Sequence, residues 1–234
     1  MLNFVKDSYS YKTVPNSKWI LVFVHWLTSS KDEEIFVHWE SFFNENGYST
    51  IRFNQYWDFP WERKLEEVTL QDNIDDVNKV IDFCISENHK NIYLVWHSYW
   101  WLVNLYVKHD NITSILMRDS SIAWEGLLED VYKDENGKHY IDWWSGYRFY
   151  IGEWLYKDFL RPSEEYLEKI ATIHLPIKVI TAEYWLAKAG ERYYNAITTD
   201  KKEFVIIPWA YHRFDEGWMD KLFMESLNWI ENLN

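Results

Sequence analysis

Ser98 and His212 are the two residues whose types and surroundings could together do covalent chemistry. Ser98 follows an apolar run, residues 91–95, and precedes an apolar stretch, residues 102–107. A strand, a tight turn with serine at its apex and an immediate helix raise the hydroxyl oxygen above a sheet, where it can attack a carbonyl carbon. His212 follows the last apolar run, residues 204–207, and an imidazole there could take the hydroxyl proton. The pattern predicts a serine nucleophile with a histidine base.

Tryptophan occupies the positions around Ser98 where such a turn needs glycine. Trp96 and Trp100 lie two residues before and after the serine, where a side chain would strike the neighbouring backbone. The chain has 16 tryptophans and 7 glycines, whereas an average chain of this length has roughly 16 glycines. The chain therefore has about as many tryptophans as an average chain has glycines.

When glycine replaces six of the tryptophans along the chain, the sequence resembles the α/β-hydrolase superfamily over nearly its whole length. The six positions are Trp26, Trp57, Trp96, Trp100, Trp101 and Trp209. The turn around Ser98 then matches G-x-S-x-G, residues 25–26 match the His-Gly that follows a strand, and residues 208–212 match P-G-A-x-H. The resemblance is in particular to small esterases and lipases of the monoacylglycerol-lipase and serine-peptidase kind.

A coding hypothesis explains the exchange. Some bacterial genetic codes read UGA as glycine and others read it as tryptophan, so the gene would have been translated with the wrong code. UGA codons at Trp26, Trp96, Trp100 and Trp209 would support this hypothesis, and UGG codons would reject it.

The resemblance also implies roles for backbone groups and for a carboxylate. The N–H groups of Leu27 and Tyr99 are implied as the oxyanion hole. Two residues stay open for the acid that orients the histidine. Asp119 follows a strand at a position that some lipases use, while Glu183 lies two positions before Trp185, which occupies the usual aspartate position. An ordinary surface ion pair with Arg118 or Lys188 is the alternative for each carboxylate.

The elements that must position these residues alternate in the pattern of βα units. Strands are predicted at residues 19–25, 50–54, 91–95, 112–118, 177–182 and 204–207, and helices at 33–46, 70–88, 100–108, 163–172, 190–198 and 218–231. Continuous apolar strands predict a sheet covered by helices on both faces. We expect one α/β domain, residues 1–234, of the α/β-hydrolase fold, with a mostly parallel central sheet. The polar and then aromatic segment 121–162 interrupts the alternation and is predicted to be a small cap over the carboxyl edge of the sheet.

The composition narrows the range of partners. A net charge of −13 and a pI near 5.0 disfavour nucleic acid and anionic lipid. Cys84 is the single cysteine, so no intrachain disulfide is expected. The sequence has neither a run of 18 apolar residues nor a signal-peptide pattern, so we expect a cytoplasmic protein without a membrane span. Metal-binding motifs and a phosphate-binding glycine loop are also missing, so no metal or other cofactor is predicted. The oligomeric state stays open.

The predicted reaction is hydrolysis of a small carboxylic ester through a Ser-His-acid triad. An amide or peptide bond is the second choice of substrate. The alternative from another class is a hydrolase-fold binding protein disabled by its tryptophans, since overpacking a core costs about 1–3 kcal/mol per site. His97, beside the nucleophile, is expected to pack under the turn and His25 to order the oxyanion loop.

Overall fold

A seven-stranded sheet forms the centre of the computed structural model, which describes residues 8–25, 27–56, 63–98, 101–120, 131–143, 147–215 and 217–233. Its strands lie in the order β1-β3-β2-β4-β5-β9-β10. They are β1 Tyr9–Lys12, β2 Trp19–Val24, β3 Ser49–Phe53, β4 Asn91–His97, β5 Ile112–Arg118, β9 Ile177–Ala182 and β10 Lys202–Ile207. β1 runs antiparallel to β3, and the other neighbouring pairs are parallel. The predicted parallel sheet and all six of its predicted strands are confirmed.

Helices cover both faces of this sheet. They are α1 Glu34–Glu45, α2 Leu70–Ser86, α3 Trp101–Asn104, α4 Glu153–Phe159, α5 Ser163–Ile170, α6 Ala187–Ala196 and α7 Trp218–Leu233. Alternate strand residues point to opposite faces, so Leu21 and Phe23 pack with α1 and α7, while Ile20 and Val22 pack with α2, α5 and α6. Both sides of β2 are therefore apolar. No helix among the described residues is long and apolar enough to cross a membrane.

The segment 121–162 contains a second, antiparallel sheet that the sequence analysis did not predict. Its strands are β6 Val131–Lys133, β7 His139–Trp143 and β8 Tyr147–Tyr150, and α4 follows them. Ile141 of β7 and Leu155 of α4 are fully buried in the same core cluster as the main sheet. Residues 121–130 and 144–146 lie outside the described residues.

The helix predicted at residues 100–108 is wrong in length, because α3 ends at Asn104. The chain tightens there into i→i+3 hydrogen bonds, from Leu105 N to the Leu102 carbonyl and from Tyr106 N to the Val103 carbonyl. His109 Nε2 lies 2.6 Å from the Asn104 carbonyl and satisfies this helix end.

Parallel register brings the carboxyl ends of the strands to one edge of the sheet. His97 at the end of β4 pairs with Arg118 at the end of β5, Arg118 pairs with Ile180 of β9, and Ala182 pairs with Ile207 at the end of β10. The residues that follow these strands, including Ser98 and Asp119, therefore meet above one edge. Crevices at this edge are where open parallel sheets bind ligands.

Candidate active site

Ser98 lies at the turn between β4 and α3. Its φ of 60° puts it in the left-handed region, which is uncommon for a residue other than glycine and is concentrated at functional sites. A strand that ends and a helix that starts within a few residues of a left-handed serine agree with the predicted nucleophile elbow. Ser98 itself is 9% exposed.

His212 contacts Ser98 from the loop that follows β10. Its Nε2 lies 3.0 Å from Ser98 Oγ, within the hydrogen-bond reach required of a general base. Its Nδ1 lies 2.5 Å from Oδ2 of Asp119 on the opposite side of the ring. A carboxylate at that nitrogen holds its proton, which leaves the lone pair of Nε2 facing the serine.

Asp119 is held by both of its oxygens. Its side chain is fully buried, Oδ1 accepts a hydrogen bond of 3.0 Å from the N–H of Ala182, and Oδ2 faces His212. Its backbone has a φ of 41° and donates to the Ile180 carbonyl at 2.7 Å. The carboxylate is therefore fixed in position relative to the imidazole.

Glu183, the other carboxylate considered, faces a different group. Its Oε2 accepts a hydrogen bond of 2.7 Å from the backbone N–H of Trp209. The structure therefore brings Ser98, His212 and Asp119 together and directs Glu183 to the backbone of the loop before His212.

The loop after β2, which contains Leu27, is tied to the end of β3. The N–H of Gln55 donates to Nε2 of His25 at 3.2 Å, and the N–H of Thr28 donates to the Tyr56 hydroxyl at 2.8 Å. Thr28 has a φ of 65°, and Leu27 is buried. Trp26 and Tyr99 lie outside the described residues, so the oxyanion hole of Leu27 and Tyr99 stays a prediction.

Several solved structures that are similar to this chain are of lipases or esterases. A monoacylglycerol lipase of Paleococcus ferrophilus superposes with a TM-score of 0.72 at 13% identity, over 97% of this chain and 98% of that one. The chain has the α/β-hydrolase fold. Est1E of Butyrivibrio proteoclasticus with bound ferulic acid matches at 0.71 and 16% identity, over 95% of each chain. The monoglyceride lipase of Saccharomyces cerevisiae, in complex with a substrate analogue, matches at 0.72 and 14%, over 97% and 91%. No family model and no curated protein sequence matches the chain.

Two buried basic residues, His97 and Arg118, end the neighbouring strands β4 and β5 beside this site. The His97 ring lies edge-on to the His212 ring, with centroids 4.8 Å apart. Burial and the neighbouring charges of His212 and Arg118 put the pKa of His97 well below its usual value, so its ring is neutral. The Arg118 guanidinium stacks on Trp39, 2.9 Å from the ring centroid.

Arg118 corrects one sequence-based alternative. A surface ion pair with Arg118 is not formed, because the Arg118 side chain is fully buried against Trp39 of α1. Asp119, the residue that follows β5, has a left-handed backbone and faces His212 instead.

The motif tryptophans have different environments. Trp96 is fully buried in the core beside the elbow, whereas Trp209 is 64% exposed with a φ of 64°. Trp101 is the first residue of α3. Trp26, Trp57 and Trp100 lie outside the described residues. The coding hypothesis therefore stays a hypothesis for the codons to test.

No group of three or more His, Cys, Asp or Glu side chains in the described part of the chain is arranged to hold a metal ion.

Proposed function

We propose that this chain is a serine hydrolase that transfers an acyl group from a small carboxylic ester to water. The 3.0 Å separation of Ser98 Oγ and His212 Nε2, continued by the Asp119 carboxylate at Nδ1, carries the proposal. The ester as substrate class is supported by the lipases and the esterase that share the fold.

Each member of the triad has a distinct part in the proposed reaction. Ser98 Oγ attacks the ester carbonyl while His212 Nε2 takes its proton, and the tetrahedral oxyanion accepts hydrogen bonds from the N–H groups of Leu27 and Tyr99. The imidazolium passes the proton to the leaving alcohol, and the acyl group stays on Ser98. Water, deprotonated by His212, then releases the acid. Asp119 keeps Nδ1 protonated and stabilises the imidazolium that forms twice in each cycle.

The segment 121–162 is proposed to be a cap of this single domain, as the sequence analysis expects. Two contacts support packing beside the carboxyl edge of the sheet. Lys138 pairs with Glu66 at 3.4 Å, and Gly152 packs so close to the Glu66 carbonyl that a Cβ at this position would lie 2.3 Å from its oxygen. Glu66 belongs to a short helical turn that follows β3.

A disabled hydrolase that only binds its ligand is the alternative function. Trp96 favours it, because its indole is buried beside the elbow and its Nε1 has no hydrogen-bond partner within the described ranges. The left-handed φ of Trp209, three residues before His212, adds strain to the loop that carries the base.

One experiment separates the two functions. The chain, its Ser98→Ala variant and a variant with glycine at the six motif tryptophans are incubated with a fluorophosphonate probe and with p-nitrophenyl butyrate. Labelling and hydrolysis that depend on Ser98 support the hydrolase. Activity confined to the glycine variant would identify this chain as the disabled form, and inactivity of all three proteins would refute the catalytic proposal.

A further inference from the structure

Three exposed aromatic side chains lie together beside His212. Tyr184, Trp185 and Tyr211 are 44%, 50% and 58% exposed. The Trp185 ring lies 5.8 Å from the His212 ring at an interplanar angle of 33°, and the Tyr184 and Tyr211 rings lie 5.2 Å apart. We call these three residues the aromatic platform. Contiguous exposed apolar surface of this kind marks binding sites more often than isolated residues do.

The platform is built on two loops that are hydrogen-bonded to each other. The N–H of Tyr184 donates to the Ala210 carbonyl at 3.1 Å, and the N–H of Glu183 donates to the Ile207 carbonyl at 3.2 Å. The Glu183 side chain adds the 2.7 Å bond from Trp209 N. Because the loops after β9 and β10 are joined in this way, the backbone that carries the rings is held in place before a ligand arrives, which lowers the entropy cost of binding.

The position of the platform relates it to one part of the substrate. In the proposed reaction His212 donates its proton to the oxygen of the departing alcohol, so that oxygen must approach Nε2 closely. A group attached to the alcohol then lies within reach of the Trp185 ring, whose centroid is 5.8 Å from that of the imidazole. The acyl group, bonded to Ser98, does not have to lie on this side.

We propose that the aromatic platform binds an aryl group in the alcohol part of the ester. This inference rests on the proposed function and names its substrate class. Aromatic faces prefer another aromatic ring to a saturated ring of equal size, by about 2- to 12-fold for one stacked pair. Trp209 also lies near Tyr184, with ring centroids 5.8 Å apart, but it is left out because it occupies a motif-glycine position.

The test compares two acetate esters of primary alcohols that differ in ring aromaticity, benzyl acetate and cyclohexylmethyl acetate. The quantity measured is the ratio of their kcat/KM values. A change in the triad that affects both esters equally leaves this ratio unchanged. Trp185→Leu should lower the benzyl preference about 2- to 12-fold. Tyr194→Leu is the matched control, because Tyr194 stacks on Phe204 and contacts Lys202 at the opposite, amino end of β10. The ratio should not change in the control.

A second pair of esters tests whether the platform binds the alcohol part or the acyl part of the substrate. Methyl phenylacetate and methyl cyclohexylacetate have the rings in the acyl part, and Trp185→Leu should leave their ratio unchanged. An unchanged benzyl preference in Trp185→Leu, an equal fall in Tyr194→Leu, or an effect confined to the acyl pair would overturn the inference while Ser98-dependent hydrolysis persists. Absence of Ser98-dependent hydrolysis of every ester would instead overturn the proposed function, and this inference with it.

Discussion

Asp119→Asn tests how the triad works without removing its packing. The asparagine Oδ1 can still accept the hydrogen bond from Ala182 N, which is 3.0 Å long with aspartate at this position. At the other position an NH₂ group replaces the oxygen that lies 2.5 Å from His212 Nδ1. Because the amide donates a proton there, Nδ1 must become the acceptor and the ring proton must move to Nε2. An Nε2–H that faces Ser98 Oγ cannot take the serine proton.

The expected loss is large in kcat and small in stability. The same tautomer change in a well-studied serine-protease triad lowers kcat about 10⁴-fold, which corresponds to about 5.4 kcal/mol at 1.36 kcal/mol per tenfold. Asp119→Ala would also leave the buried N–H of Ala182 without a hydrogen-bond acceptor, which would lower the free energy of unfolding by about 1–3 kcal/mol. The asparagine variant avoids this second effect, so it separates catalysis from folding.

The assay measures kcat with p-nitrophenyl butyrate and the free energy of unfolding in urea. Glu183→Gln is the matched control, because a glutamine oxygen can still accept the hydrogen bond from Trp209 N. It should retain kcat within about threefold, a change smaller than 1 kcal/mol. The reasoning is refuted if Asp119→Asn keeps kcat within tenfold of wild type, or if Glu183→Gln shows the larger loss.

Three further predictions concern the surroundings of the triad. His97→Phe puts a larger ring into the fully buried position that packs edge-on against the His212 ring, 4.8 Å away between centroids, so His212 should shift and kcat should fall about threefold to tenfold with KM unchanged; a KM change of equal size would contradict a positioning role. Burial raises the pKa of Glu40, but hydrogen bonds from Arg52 lower it below its ordinary 4.5. The Arg52–Glu40 ion pair therefore stabilises the fold above that pH, and this stabilisation is lost as the pH falls. Arg52→Met should therefore cost about 3 kcal/mol in urea unfolding at pH 7 and less at pH 3; an equal cost at both would contradict the linkage. Trp209→Gly should raise the free energy of unfolding by about 1 kcal/mol, because a left-handed φ costs a residue other than glycine about 1–2 kcal/mol; a lower thermal midpoint would contradict it.

The sequence predicted the strands that carry the site because each is a continuous apolar run. β2 and β4, for example, are buried on both faces along nearly their whole length, and apolar runs this short are more typical of a buried strand than of a helix. β1 was not predicted, since Tyr9–Lys12 is a strand of only 4 residues at the edge of the sheet and has no continuous apolar run. β6 and β8 were also not predicted, because they are short and largely exposed.

The acid could not be assigned from sequence, because Asp119 and Glu183 both follow strands that are neighbours in the sheet. Register and backbone direction decide which carboxylate faces His212, and neither can be read from composition. The left-handed backbone of Asp119 turns its side chain toward the loop after β10, while Glu183 turns toward Trp209 N. A left-handed φ at aspartate leaves no strong pattern in a single sequence.

Mass-spectrometric mapping of the fluorophosphonate adduct tests the central claim most directly. The account predicts one adduct on the peptide that contains Ser98, no adduct in Ser98→Ala, and labelling that is strongly slowed in His212→Ala. The glycine-restored variant should be labelled at the same serine. An adduct on another residue, or labelling of Ser98 at an unchanged rate in His212→Ala, would contradict the account.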